Sequence, residues 1–167
     1  MAIKSYPNIG EAYSDVTYSL GFALTQWQAV ELKLYQLFVF LCGDSDRKAI
    51  NVVFHEMPLE VRLRALTELV AMRAPSQAEA WAEVVKKVHK QRRMRDKLAH
   101  WTVVGDQHKD GGFTAWLSPP TTSEQARVVY ENNHSAMGAQ DLLDKSREFQ
   151  IAAHAVHEFM MAFPELV

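Results

Sequence analysis

The chain has little with which to build covalent or metal-based chemistry. It holds one cysteine, Cys42, so an internal disulfide is excluded. The apolar setting of that residue suits a small core side chain in a reducing compartment. No His, Cys, Asp and Glu cluster has metal-ligand spacing, and no glycine-rich phosphate loop occurs. Asp110-Gly111-Gly112 leads into a strand-like run and not a helix, so it reads as a turn. A nucleophile motif for Ser/His/Asp catalysis is missing. The longest apolar segment, 37–42, is too short to span a membrane. The N-terminal run Met1-Ala2-Ile3-Lys4-Ser5-Tyr6-Pro7 lacks the apolar stretch of a signal peptide. Excess positive charge is absent too: 18 Lys and Arg stand against 20 Asp and Glu, a net charge of −2, so any affinity for polyanions must come from a local patch. These absences predict a cytoplasmic protein with no membrane partner, no metal and no cofactor.

What is present is a sequence able to bury a core. Its 167 residues are 48% hydrophobic and 23% charged, which suits one globular domain over 1–167. Leu20, Leu24, Trp27, Leu34, Phe38 and Leu41 recur at helical spacing and predict a helix over about 15–42, ended by Gly43-Asp44-Ser45. A second short helix is predicted over 46–56. A third begins at Pro58, where a missing N–H costs little, and runs to about residue 72 with Leu59, Leu63, Leu66 and Val70 inward. Ala74-Pro75-Ser76 breaks the chain. Ser76 with Glu79 three residues on has the form of a capping box for a fourth helix over about 77–100.

After Trp101 the period changes. Thr102-Val103-Val104 and Phe113-Thr114-Ala115-Trp116-Leu117 read as two strands with Asp110-Gly111-Gly112 in the turn. Arg127-Val128-Val129-Tyr130 reads as a third, set apart by Pro119-Pro120. The last helix is predicted over 139–163, with Leu142, Phe149, Ala153, Val156, Met160 and Phe163 inward. The fold class is therefore mainly α: a four- to five-helix up-and-down bundle with a small β-hairpin or three-strand insertion, about 102–131, before the last helix.

The fourth helix concentrates charge. Between positions 86 and 97, Lys86, Lys87, Lys90, Arg92, Arg93, Arg95 and Lys97 are basic, and Asp96 is the only acid. Such a run either contacts phosphates, with salt-dependent binding, or forms a solvated face whose cations suit the helix C-terminus. The apolar stripe Trp81, Val84, Val88 continues through Gln91, Arg95 and Leu98, so Arg95 is predicted on the inward side. A charge there needs a partner or a wet cleft. Glu31, between Trp27 and Leu34 on the first helix, is one candidate; otherwise both side chains snorkel outward. Arg95 and His100 lie about 140° apart around an ideal helix. Histidine titrates near neutrality, and arginine keeps its charge and offers phosphate a forked pair of donors.

The run Arg95-Asp96-Lys97-Leu98-Ala99-His100 resembles the R-x4-H signature of the HEPN superfamily, whose usual form carries Asn, Asp or His after the arginine. The helical frame over 15–101 and 139–163 is similar to that family's, with the motif near the end of a long helix. Looser spacing also fits Arg93/His100, Arg127/His134 and Arg147/His154, but Asp96, the helix end and the basic run together single out Arg95 and His100. The resemblance implies a metal-independent endoribonuclease working as a homodimer in defence or stress response. His100 would act on the ribose 2′-OH or the leaving oxygen, Arg95 on the phosphate, and Asp96 would orient either. Cleavage would leave a 2′,3′-cyclic phosphate. RNA and an antitoxin or regulatory protein are the implied partners. Other members only bind, so the alternative is a catalytically inactive helical module for RNA or a protein partner. Two departures stand out. Thr102 replaces the tyrosine of a branch that pairs with small nucleotidyltransferases, and Trp101 replaces a small residue. Trp101 either stacks on a base or belongs to the core. His154 and His157 match no zinc motif and suit a solvated or dimer-facing helix surface.

Overall fold

The structure, a computed structural model, describes residues 4–43, 47–120 and 136–163. It is mainly helical: α1 (Ile9–Cys42), α2 (Arg47–Glu56), α3 (Leu59–Arg73), α4 (Ala78–His100) and α5 (Ala139–Met161). A two-stranded antiparallel sheet, β1 (Thr102–Gln107) and β2 (Phe113–Ser118), precedes the last helix. This is the fold class that the hydrophobic periods predict. The strand predicted over 127–130 lies outside the described residues.

Helix α1 starts well before the predicted position. Asn8 caps it: its side-chain oxygen accepts the Glu11 N–H at 2.9 Å, and its amide donates to the Glu11 carboxylate at 2.8 Å. The buried stripe then runs Ala12, Val16, Ser19, Ala23, Trp27, Val30, Leu34, Leu37, Leu41. Leu20 and Leu24, one position over, are only half-buried. Small residues carry the first half of the stripe, which is why hydrophobic periodicity finds only the second half. Gly43, at φ +75°, ends the helix in the left-handed conformation, and its N–H bonds to Val39 and Phe40 carbonyls.

Two further boundaries differ from expectation. Pro58 is the cap of α3 and not its first residue. The Ser76–Glu79 capping box is replaced by a 3-10 turn, Pro75–Gln77, closed by the Gln77 N–H on the Ala74 carbonyl at 2.9 Å. Ser76 thus sits inside a turn and α4 begins at Ala78.

The chain forms two compact units, each discontinuous in sequence. One takes the chain through Gln26 together with Arg92–Glu148. Here β1 and β2 pair from Thr102 opposite Ser118 to Gln107 opposite Phe113. Tyr6 exchanges both backbone bonds with Phe113, at 2.9 and 3.0 Å, and Met137 does so with Leu117, at 3.0 and 2.8 Å. The start of α1 lies on this hairpin at Gly105. A Cβ there would stand 2.6 Å from the Tyr13 ring and 2.9 Å from the Ile9 side chain, so only glycine leaves room. The Tyr6 hydroxyl and Lys4 ammonium both bond to Asp15.

The other unit takes Trp27–Gln91 and the chain from Phe149 onward. Its core is aromatic. Trp27 meets Phe149 edge-on at 5.5 Å, Trp81 meets Phe159 at 5.1 Å, and Phe38 meets Phe54 at 5.0 Å between ring centroids. The two indoles spend their N–H groups locally, Trp27 on Glu31 at 2.7 Å and Trp81 on the Thr67 hydroxyl at 2.9 Å.

Candidate functional site

The residues singled out by sequence lie on the last turns of α4. Helical phase fixes what each faces. Trp81, Val84, Val88, Gln91 and Leu98 are buried, and between them they set the inward side. Opposite, Lys86, Lys90, Arg93, Lys97 and His100 recur at spacings of four and three residues and are all exposed. Lys87 is exposed to one side of this stripe.

Charge compensation is uneven along the helix surfaces. Lys86 bonds to Glu83, Lys145 to Glu148 and Arg147 to Asp144, each three residues apart. The hydrogen bond to Glu83 raises the Lys86 pKa above its ordinary value. Lys90, Arg93 and Lys97 have no carboxylate partner among the described residues. Among the described residues, these three cations thus form a local concentration of positive charge on a protein whose net charge is −2. At the end of the stripe the His100 imidazole is exposed and makes no hydrogen bond among the described residues.

Arg95 departs from expectation. Its phase is that of the buried stripe, yet its side chain is 39% exposed, and Nη1 bonds the neighbouring Asp96 carboxylate at 3.3 Å. Asp96 also lies 3.6 Å from the Arg92 Nε. The carboxylate thus sits between two guanidiniums and orients Arg95, not His100. Glu31, expected to face Arg95, is held instead by the Trp27 N–H and by Arg62 at 3.6 Å. Asp96 is met by two basic residues of its own helix, whereas Glu31 is held by Trp27 one turn away and by Arg62 of α3.

Trp101 is half-buried at the C-terminal end of α4. Its backbone N–H donates to the Lys97 carbonyl at 2.9 Å, and the Lys97 ammonium stands 5.8 Å from the ring centroid. Three other histidines make side-chain contacts. His89 Nδ1 is 3.5 Å from Glu60, His154 Nε2 is 3.6 Å from Glu158, and His108 Nε2 is 3.1 Å from the Thr114 hydroxyl. His157 Nδ1 is buried with no partner among the described residues. Burial pushes the Cys42 thiol up, away from the reactive thiolate. No group of three or more His, Cys, Asp and Glu among the described residues could hold a metal ion. No described helix is long and apolar enough to cross a membrane.

Sequence reasoning missed Arg62 and the Lys4–Tyr6–Asp15 cluster. Arg62 donates to the Phe54 carbonyl at 2.9 Å and the His55 carbonyl at 3.0 Å, at the end of α2. Its one sequence signal is position: a cation in the first turns after a helix break, within reach of the previous helix's unsatisfied carbonyls. Compared with known protein families, curated proteins and solved structures, the chain matches none.

Proposed function

We propose that this chain is a metal-independent endoribonuclease of the HEPN type, a single domain acting as a homodimer. The observation that carries the reading is the exposed stripe Lys90, Arg93, Lys97, without a carboxylate partner among the described residues, that runs directly into an exposed His100. A cation row on one helix face suits a phosphate backbone, with Lys86, Lys87 and Arg92 flanking it. His100 supplies the proton chemistry. As neutral imidazole it takes the proton of a ribose 2′-OH while the 2′-oxygen bonds to phosphorus and the P–O5′ bond breaks. As imidazolium it returns a proton to the leaving 5′-oxygen. Arg95, held by Asp96, stabilises the negative charge that gathers on the phosphoryl oxygens. Arg95 and His100 are about 140° apart on one helix, and the resemblance implies a cleft in which the motifs of two copies meet; within one chain, long reach or a fraying helix end would have to bring them together. In this reading the enzyme works in the cytoplasm in defence or stress response, restrained by an antitoxin or regulatory protein.

A second reading keeps the stripe and drops the chemistry: a helical module that binds RNA or a protein partner. Its support is that Arg95 is already engaged by Asp96 within one chain. One assay separates them. A mixed RNA pool in EDTA is incubated with wild type, His100→Ala and Arg95→Ala. The nuclease reading expects cleavage by wild type alone, with 2′,3′-cyclic phosphate ends and no attack on DNA. Equal cleavage by His100→Ala would overturn it. Binding without cleavage by all three would leave the module.

A further inference from the structure

Of the four tryptophans, Trp27, Trp81 and Trp116 are 1–2% exposed. Trp101 alone reaches solvent, and it does so beside His100 at the end of the cation stripe. Its backbone is held on both sides, and the Lys97 ammonium stands 5.8 Å from its ring centroid. The α4 ladder extends to its N–H, and the next residue, Thr102, is already paired with the buried Ser118 in the hairpin. The backbone that carries this large flat side chain is thus ordered before any ligand arrives, which lowers the ordering cost of binding. Lys97, one helical turn before it, and Arg93, one turn earlier again, face the same way and have no carboxylate partner among the described residues.

We infer that Trp101, Lys97 and Arg93 form a seat for an unpaired nucleotide, so that this end of α4 binds single-stranded nucleic acid of either sugar, with cleavage confined to RNA. Stacking requires a base whose face is free, which a duplex does not offer. Neither stacking nor phosphate pairing touches the 2′-OH, so single-stranded DNA binds as well and survives. The inference deepens the nuclease reading by naming how its substrate is held. It shares that reading's site but not its chemistry.

Tryptophan fluorescence tests it in the full-length protein, because the other three indoles are buried. The probes are a short oligothymidylate and a DNA duplex of the same length, at low and moderate salt. The oligothymidylate is expected to quench the emission and to bind at least about tenfold more tightly than the duplex. Trp101→Ala is expected to weaken that binding by about 5- to 150-fold, and Trp101→Phe, which keeps a stacking face, by far less. Lys97→Ala should lower the salt slope by about 0.7. Equal affinity for duplex and single strand, absence of quenching, or a Trp101→Phe as weak as Trp101→Ala would each overturn the seat. The two readings fail separately. Oligothymidylate binding without RNA cleavage retains the seat and removes the nuclease, and RNA cleavage without quenching does the reverse.

Discussion

Two arginines show how differently one side chain can matter. Arg62 is 11% exposed, closes two carbonyls at the end of α2, lies over the Phe54 ring at 4.9 Å and approaches Glu31 at 3.6 Å. Removing it orphans all of these together. Arg62→Ala is therefore expected to cost about 2–4 kcal/mol in urea unfolding. Arg95 is half-exposed and meets one half-exposed acid, so Arg95→Ala is expected to cost under about 1 kcal/mol. The helical phase of Arg95 is legible in the sequence, but whether a neighbouring element covers that position is not. Only the fold reveals that Arg95 is 39% exposed there and that Arg62 is enclosed. The Lys4–Tyr6–Asp15 cluster adds a pH dependence. Hydrogen bonds from Lys4 and then Tyr6 hold the Asp15 carboxyl below its usual range. Its contribution is present above the ordinary carboxylate pKa and fades as pH falls through the lowered one. Burial first, then Asp15, pushes the Tyr6 phenol up, and the Asp15 bond raises Lys4. Their contributions hold below their ordinary pKa values and are lost as pH rises through the raised ones. The protection factor of the Tyr6 amide, measured against the intrinsic exchange rate at each pH, is expected to fall at acid pH, and Asp15→Asn should remove that dependence.

At the scale of elements, the caps and the periods decide what the sequence reveals. Helices α4 and α5 and the Gly43 stop are legible because large apolar residues and a terminal glycine mark them. The start of α1 is hidden because Ala12, Ser19 and Ala23 give no hydrophobic signal, although Asn8 with Glu11 is a readable cap. Strand β1 extends through Gly105, Asp106 and Gln107, residues of poor strand propensity, because their partners Ala115, Thr114 and Phe113 hold them in register. Gly105 is also where α1 comes closest to the hairpin. Gly105→Ala forces the Tyr13 ring and Ile9 aside and presses on the Thr114 carbonyl, 3.1 Å from the added carbon. A loss of about 1–3 kcal/mol is expected, with Tyr13 more exposed to acrylamide or nitration than in wild type. In the candidate site, residue types and spacing are legible. The engagement of Asp96 with Arg95, and the lack of compensation along Lys90, Arg93 and Lys97, are not, since both depend on which acids the fold brings near.

For the molecule as a whole, discontinuity is the governing fact. Each compact unit joins stretches far apart in the chain. A fragment of residues 27–91 keeps α2 and α3 but lacks Phe149, Val156, Phe159 and Phe163, which are buried around Trp27, Trp81 and Phe40. It is expected to show helical far-ultraviolet dichroism without a fixed tryptophan signal in the near ultraviolet, and addition of a peptide of residues 149–163 should restore that signal. A stable, natively packed fragment would contradict the shared core. The same arrangement bears on how the protein is made. While the ribosome is still translating, α1 emerges first with its long apolar stripe bare, and neither unit can close before Glu148 has left the exit tunnel. The nascent chain must therefore be kept from sticking, by speed or by a chaperone, for most of its synthesis.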